Sequence, residues 1–299
     1  MDKHEGFMKA LKCRECGREY PLTATHVCEF DFGPLEVAYD FPAITREQIQ
    51  DGPLSLWRYA ALLPVPADVA LSRNLAPGMT RLHRADNLAK ALGVTGTLWV
   101  KDDSGNPTHS FKDRVVAVAQ SAGQQLGFTT LACASTGNLA HAVAAAAARA
   151  GQRSVVLVPS NLESHKIQAT AAYAGFVIGI DGNYDDVNRL CSELIGEEVS
   201  ADWGFVNVNL RPYYAEGSKT VGYEIAEQLG WRLPDQVVIP VASGALLTKI
   251  DKGWREFTRL GLVPEREYRV FGAQATGCNP VSVAFAEGTD VVRPVKPDT

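Results

Sequence analysis

What this chain lacks narrows its class before any motif is read. A surplus of one charge is missing: in 299 residues Lys+Arg total 29 against Asp+Glu 34, a formal net charge of −5. Without a basic excess, a nucleic-acid partner is not expected. Long apolar runs are missing too. The longest, Ala142–Ala148, is alanine-rich and falls well short of the about 20 residues a membrane span requires. The opening run MDKHEGFMKALKC has no apolar segment of the kind a secretory signal needs, so the cytoplasm is the expected compartment. Cysteines are few, six in all, and a disulfide framework is not expected in a reducing compartment. Cys133, Cys191 and Cys278, scattered along the chain, read as ordinary buried thiols. No internal repeat is visible. What remains is a chain with 46% hydrophobic residues, enough for a real core, and a length that suits one large domain or two medium ones.

The pattern from about Trp99 onward is an alternation. Strand-like apolar runs fall at Thr97–Val100, Leu131–Ala134, Ser154–Val158, Val177–Ile180, Gly204–Val208, Gln236–Val241 and Arg269–Gln274. Helical stretches alternate with them at Ser110–Leu126, Asn138–Ala150, Ser164–Ala174, Tyr184–Glu197, Gly217–Leu229 and Leu246–Leu260. In the first of these, Val115, Val118, Ala119, Ala122 and Leu126 recur at helical spacing. Short buried strands alternating with helices predict an α/β fold with mostly parallel sheets. The Pro-punctuated segment Asp40–Pro77, with Pro42, Pro53, Pro64 and Pro66, reads as a wrapping arm. Before it, residues 1–33 differ in kind: Cys13-x-x-Cys16, a glycine, then Cys28 suggest a small knuckle followed by a hairpin.

Three strand-to-helix loops carry candidate chemistry. In KDDSGNPTHSFKDR (Lys101–Arg114), Ser110 stands where a helix cap is expected and Lys112 falls in the first turn. A cation there opposes the helix dipole, which should lower the amine's pKa toward the range Schiff-base chemistry uses. A lone lysine at such a place is otherwise a solvated surface group. In ASTGNLA (Ala134–Ala140), Ser135, Thr136 and Gly137 leave backbone N–H groups at a helix start, either an anion site or a plain capping loop. In IPVASGALLT (Ile239–Thr248), small residues again lead from a strand into a helix. That loop could wrap a phosphate or be an ordinary turn, and it lacks the glycines of a P-loop or dinucleotide fingerprint. Loops of this kind converge at strand C-termini in an open α/β sheet. One amine and two backbone anion sites are the equipment a pyridoxal phosphate cofactor needs.

The runs NPTHSFKDR, STGN, AEGSKT and VASGALLT together resemble the threonine synthase family, pyridoxal-phosphate enzymes of the tryptophan-synthase-β-like fold (fold type II). CRECGREY, PGMTRL (Pro77–Leu82) and GAQATGCNPV extend the likeness over nearly the whole chain, and NLRPYYAEGSKT is most like the branch found in archaea and some bacteria. The resemblance implies that Lys112 carries the cofactor and moves protons, with Phe111 and Asp113 positioning it. It implies that Asn138 bonds the cofactor ring hydroxyl, and that Ala242, Ser243, Gly244, Ala245 and Leu246 cradle its phosphate. Ser135, Thr136 and Gly137 would hold the substrate carboxylate. Thr80, Asn207, Asn209, Arg211 and Lys219 are candidates for the rest of the substrate, O-phosphohomoserine, with Arg211 foremost for its phosphate. The activity implied is a lyase reaction giving L-threonine and phosphate. The same fold also houses threonine dehydratase and cysteate synthase, and a non-catalytic remnant would keep the same motifs. His109 reads as a neighbour of the site, His141 as a packed or solvated side chain, and Trp99 and Trp203 as core.

The family pattern implies two open three-layer α/β domains after the knuckle. They are a large cofactor domain (34–120 and 204–299) and a small inserted domain (121–203). The family's chain continues past the GCNPV region, so the large domain is expected to lack its C-terminal part, including a Ser or Thr that faces the pyridine nitrogen. Other members of the fold suggest a homodimer. At the knuckle, Cys13, Cys16 and Cys28 are one ligand short of a four-cysteine zinc ribbon, and Asp31 stands where the fourth cysteine would be. A structural zinc and a knuckle that has lost its metal both remain open on this pattern.

Overall fold

A computed structural model describes residues 7–65, 75–173, 175–296 and 298. Pro66 of the expected arm, Ala174 at the end of one expected helix, and residues 1–6, 297 and 299 lie outside them. The chain divides into two units, residues 1–220 and 221–299.

The first unit opens with an antiparallel sheet, order β2-β1-β3, made of β1 (Met8–Cys13), β2 (Glu19–Tyr20) and β3 (Leu35–Tyr39). Alternation decides its faces: Leu11 and Cys13 on β1, and Leu35 and Val37 on β3, are buried. β3 lies beyond residue 33, where the knuckle was expected to end; the two-residue period of Leu35 and Val37 is what carries the sheet onward. The Pro-punctuated arm holds a short α1 (Arg46–Gln50), closed by a capping box between Thr45 and Gln48, and a 3-10 segment, Leu56–Leu62, with Leu56, Trp57 and Leu62 buried. Next come β4 (Arg81–Arg84), α2 (Asp86–Ala91) and β5 (Trp99–Asp102), with β4 and β5 antiparallel. Trp99 is exposed rather than core, because this pair is two strands wide and covers one face only partly.

The centre of the first unit is a parallel four-stranded sheet, order β8-β7-β6-β9. After α3 (Lys112–Gln125), the chain alternates through β6 (Thr130–Ala134), α4 (Asn138–Ala150), β7 (Arg153–Pro159), α5 (Ser164–Ala171), β8 (Phe176–Ile180), α6 (Tyr184–Glu193) and β9 (Trp203–Phe205). All five residues of β6 are buried, as expected of a strand covered on both faces. The expected stripe on α3 proves too narrow: every residue from Asp113 to Gly123 is buried, so α3 is enclosed all round. Its buried Gln120 donates to the Ala146 carbonyl of α4 at 3.1 Å. Cys133 and Cys191 are buried, and burial pushes the Cys191 thiol up to about 11, so neither is a reactive thiolate at neutral pH. Cys278 departs from the expected burial, being partly exposed.

The unit ends through a six-residue α7 (Arg211–Glu216) into α8 (Lys219–Gln228). Between the two helices, Gly217 needs to be glycine: a Cβ there would lie 2.7 Å from the Arg114 carbonyl oxygen and 2.8 Å from the Val115 Cα. That close approach sets α7 directly against α3.

The second unit contains β10 (Gln236–Pro240), α9 (Ala245–Arg259), β11 (Arg269–Ala273) and α10 (Pro280–Glu287). β10 and β11 pair in parallel, from Gln236↔Arg269 to Pro240↔Ala273. Its interior is aromatic: the Tyr223 and Phe257 rings stack at 4.4 Å, and the fully buried Trp254 donates from Nε1 to the Gly222 carbonyl at 2.8 Å. No helix among the described residues is long and apolar enough to cross a membrane.

Candidate active site

The sheet order places the site. From β6 the chain builds outward through β7 to β8, then returns to the opposite side of β6 as β9. Strand order reverses there, and in open parallel sheets the crevice outside the strand C-termini at such a switch is where ligands bind. The loop Ser135–Gly137 leaves the end of β6, and Asn207 follows the end of β9.

Helix α4 starts at Asn138 without a side-chain cap, so its first N–H groups are not used by the helix itself. Gly137 caps the helix with φ −150° and ψ −138°, outside both the helical and the extended regions, and a Cβ added there would meet nothing within 4 Å. Ser135 is buried and its hydroxyl accepts from the Gly137 N–H at 3.3 Å, while Asn138 is exposed. The Ala134 carbonyl at the end of β6 gathers two side chains, accepting from the Tyr184 hydroxyl at 3.2 Å and from Asn207 Nδ2 at 3.5 Å. The other amide atom of Asn207, Oδ1, is buried without a partner, and so is His141 Nε2. Unpaired buried polar atoms are costly, and they cluster where a missing group is to be received.

Lys112 stands at the first position of α3. Ser110 acts much as expected: its hydroxyl accepts from the Lys112 N–H at 3.0 Å, one residue outside the assigned cap. The loop before it is held closed by Asp113, whose carboxylate accepts from the Thr108 N–H and hydroxyl, both at 2.7 Å. His109 takes a left-handed backbone, φ 59°, within that turn. The Lys112 amine donates to the Tyr214 hydroxyl at 3.1 Å and lies 5.5 Å from the centre of the Phe111 ring. Burial holds its pKa below the usual 10.5. The direction is the one expected; the cause is desolvation rather than the helix dipole. Burial also pushes the Tyr214 phenol well above its ordinary value, so it stays neutral beside the amine. Tyr214 was not anticipated. The only sequence signal for it is the Tyr-Tyr pair ahead of the EGSKT run.

The other candidates are distributed unevenly. Arg211, exposed at the start of α7, is close enough to His26 that its charge, together with burial, which is the larger cause, lowers that imidazole's pKa. Thr80, Asn209 and Lys219 each have a polar atom already engaged. The Thr80 hydroxyl donates to Asp103 Oδ1 at 2.7 Å and accepts from Arg114 Nη2 at 3.0 Å. Arg114, fully buried, also bonds both Asp103 oxygens, at 2.7 and 2.8 Å. Asn209 Oδ1 accepts from the Phe205 N–H at 2.8 Å, closing the turn after β9. Lys219, with no exposed surface, pairs with Glu216 at 2.8 Å and donates to the Leu62 carbonyl at 2.9 Å. In the second unit, Ala242 and Gly244 both take left-handed backbones, φ 43° and 80°, just before α9, which has no side-chain cap. The Gly244 N–H is engaged within the turn, donating to the Val241 carbonyl at 2.6 Å, while the first N–H groups of α9 are not used by the helix itself, as at an anion cradle.

At the N-terminal knuckle, the ligand atoms of Cys13, Cys16, Cys28 and Asp31 all lie within 4.8 Å of one another.

Residues 74–299 match the family described as pyridoxal-phosphate dependent enzyme. The threonine synthase of Methanosarcina acetivorans is 37% identical over 291 residues, covering 96% of this chain and 70% of that protein. That of Methanocaldococcus jannaschii is 34% identical over 295 residues, covering 96% and 71%. Among solved structures, maize serine racemase superposes with a TM-score of 0.61 at 21% identity, covering 85% of this chain and 68% of that one. A fungal L-serine ammonia-lyase from Rhizomucor miehei gives 0.60 at 22%, covering 74% and 66%.

Proposed function

Because the chain belongs to the threonine synthase family of pyridoxal-phosphate-dependent enzymes, we propose that it converts O-phospho-L-homoserine and water to L-threonine and phosphate, with Lys112 as the reactive amine. The observation that carries this reading is the Lys112 amine itself, desolvated and facing a neutral phenol. An amine whose pKa is lowered is deprotonated more often, and only the neutral form attacks an aldehyde or takes a proton.

The residues present fit the cofactor. In the first unit, the open space at Gly137 and the unpaired Oδ1 of Asn207 are receptive features of the kind an aldehyde-bearing pyridine calls for; in the second unit, taken by itself, the left-handed turn at Ala242 and Gly244 is of the kind a phosphate calls for. When bound, pyridoxal phosphate supplies an electron sink that makes the substrate's carbon-bound protons acidic. The chain's own residues do the rest. Lys112 holds the cofactor, then takes a proton from the substrate Cα and returns one. Tyr214 keeps that amine oriented while staying uncharged. Ser135, Thr136 and Gly137 receive the substrate carboxylate at the start of α4, where the helix dipole favours an anion. Asn138, being exposed, is free to bond the cofactor ring hydroxyl. Of Ala242, Ser243, Gly244, Ala245 and Leu246, Gly244 gives its N–H to the Val241 carbonyl, and the others would offer theirs to the cofactor phosphate. Arg211 and Asn207 serve the substrate's own phosphate. In the overall change one Cβ–H bond and the Cγ–O bond break, phosphate leaves with the Cγ–O electron pair, water's hydroxyl bonds Cβ, and of the two protons freed from Cβ and water one ends on Cγ and one on phosphate.

The test is direct. The purified chain with pyridoxal phosphate should show a visible absorbance band that borohydride fixes onto the peptide containing Lys112. Lys112→Ala should lose both band and activity while keeping its circular dichroism. Phosphate release from O-phosphohomoserine should match threonine formed. Release from O-phosphoserine alone would favour a cysteate synthase, and ammonia from threonine without phosphate release a threonine dehydratase. A folded chain with no band at all would mark a non-catalytic remnant. Each of those three outcomes refutes the assignment.

A further inference from the structure

The tip of the N-terminal sheet has a geometry that the pyridoxal-phosphate reading does not use. Cys13 ends β1 and Cys16 lies in the turn after it, while a second turn carries Cys28 and Asp31. Cys16 Sγ and Cys28 Sγ are 3.7 Å apart, and Cys13 Sγ is 3.3 Å from Asp31 Oδ1. A tetrahedral zinc with Zn–S of about 2.3 Å and Zn–O of about 2.0–2.2 Å sets sulfurs about 3.8 Å apart and sulfur to oxygen about 3.5 Å apart. The observed spacings are those of the two opposite edges of such a tetrahedron. They are also far too long for a disulfide, whose sulfurs sit about 2.05 Å apart.

The surroundings are built for sulfur in its anionic form. The Glu15 N–H points to Cys13 Sγ and the Phe30 N–H to Cys28 Sγ, each at 3.4 Å. The Tyr20 hydroxyl lies 3.0 Å from Cys28 Sγ, and the Gly33 N–H donates to Asp31 Oδ1 at 2.9 Å. Such donors orient metal ligands and offset thiolate charge. Gly33 is required by the same cluster: a Cβ there would come within 2.8 Å of Cys13 Sγ and 3.0 Å of Asp31 Oδ1. Cys13 and Cys28 are buried, and three thiols with a carboxylate gain little by converging this way unless a cation joins them.

We propose that Cys13, Cys16, Cys28 and Asp31 bind one zinc ion in a closed tetrahedral site with a structural role. Four protein ligands leave no open position, which separates it from a catalytic zinc. The ion would pin both turns of the knuckle. It would thereby also steady the intervening loop, whose Thr23 carbonyl accepts from the Tyr213 hydroxyl of α7 at 3.1 Å.

The experiment uses the full chain, reduced and purified without added metal. Elemental analysis should find one zinc per chain. Metal-free protein titrated with cobalt(II) should develop the ligand-field bands of a tetrahedral site and a thiolate-to-cobalt charge-transfer band, saturating at one equivalent and erased by zinc. Cys16→Ser, at the exposed ligand, should reduce the charge-transfer intensity by about a third. Asp31→Asn should keep three thiolates, shift the ligand-field bands and weaken zinc binding by ~100-fold, at least as much as loss of a supporting hydrogen bond. Cobalt spectra without tetrahedral bands from a folded, reduced chain would overturn the proposal. So would a Cys16–Cys28 disulfide in the protein as isolated, or full zinc binding by both variants.

Discussion

Lys112 and Lys219 each open a helix, α3 and α8, and each has been drawn out of bulk water, but their surroundings are opposite in kind. Lys219 is fully enclosed and fully answered: Glu216 lies 2.8 Å away, the Leu62 carbonyl accepts at 2.9 Å, and the Tyr39 ring centre is 4.3 Å from its nitrogen. Glu216 is itself held by the Tyr39 hydroxyl at 2.8 Å. Lys112 is only part-buried, and it meets a phenol in place of a carboxylate. Burial with an anion keeps a cation as a structural member; burial without one destabilises the charge and turns the group into a nucleophile or base. Depth of burial alone does not separate the two, because the more deeply buried lysine is the one that is satisfied.

The largest effects that could break this comparison come from exchanging the two roles. Lys112→Ala is expected to remove activity and the visible band with little change in folding. Lys219→Met is expected to do the reverse, leaving Glu216 as an unpaired buried charge and costing about 3–5 kcal/mol in denaturant unfolding. Adding Glu216→Gln to Lys219→Met should return part of that loss. A Lys219→Met chain that folds as stably as the parent but cannot hold the cofactor would place Lys219 at the site and end the distinction.

A smaller effect follows from protonation. In the cofactor-free chain the Lys112 pKa lies below 10.5 in the folded state, while the unfolded chain takes the ordinary value. Between those two values the unfolded state binds more protons, so stability should rise with pH across that window. Lys112→Met should flatten this part of the curve, and unfolding midpoints measured from neutral to alkaline pH would show it. An unchanged slope in Lys112→Met would mean that the amine titrates as if solvated.

Much of this was legible in the sequence, and the gaps have a common cause. The seven strand runs were visible because each is short, apolar and bounded by loop residues, and Asn138–Ala150 because alanine favours helix and Gly151 ends it in a left-handed cap, φ 68°. Local pattern also placed the three loops at strand ends. It could not tell which polar atoms were already engaged. Thr80, Asn209 and Lys219 look like ligand groups in the sequence, yet their partners, Asp103 with Arg114, the Phe205 N–H, and Glu216 with Leu62, become visible only once the chain is folded. Tyr214 was missed for the converse reason. Its partner is 102 positions away, and the contact depends on Gly217 letting α7 approach α3.

The smallest expected effect is also the sharpest test of what sets the Lys112 amine apart. Tyr214→Phe removes one neutral hydrogen bond and no charge, so the loss is about 0.5–1.5 kcal/mol, or roughly two- to twelvefold in kcat. KM should change little, because the phenol touches the lysine and not the substrate. Desolvation, not the phenol, is what lowers the Lys112 pKa. The phenylalanine ring preserves that desolvation, so the pH dependence of cofactor capture should keep its midpoint while its rate falls. If instead the midpoint moves back toward 10.5, water has entered where the hydroxyl stood. The contrast with Lys219 would then rest on a single hydrogen bond and not on the burial of an unpaired cation.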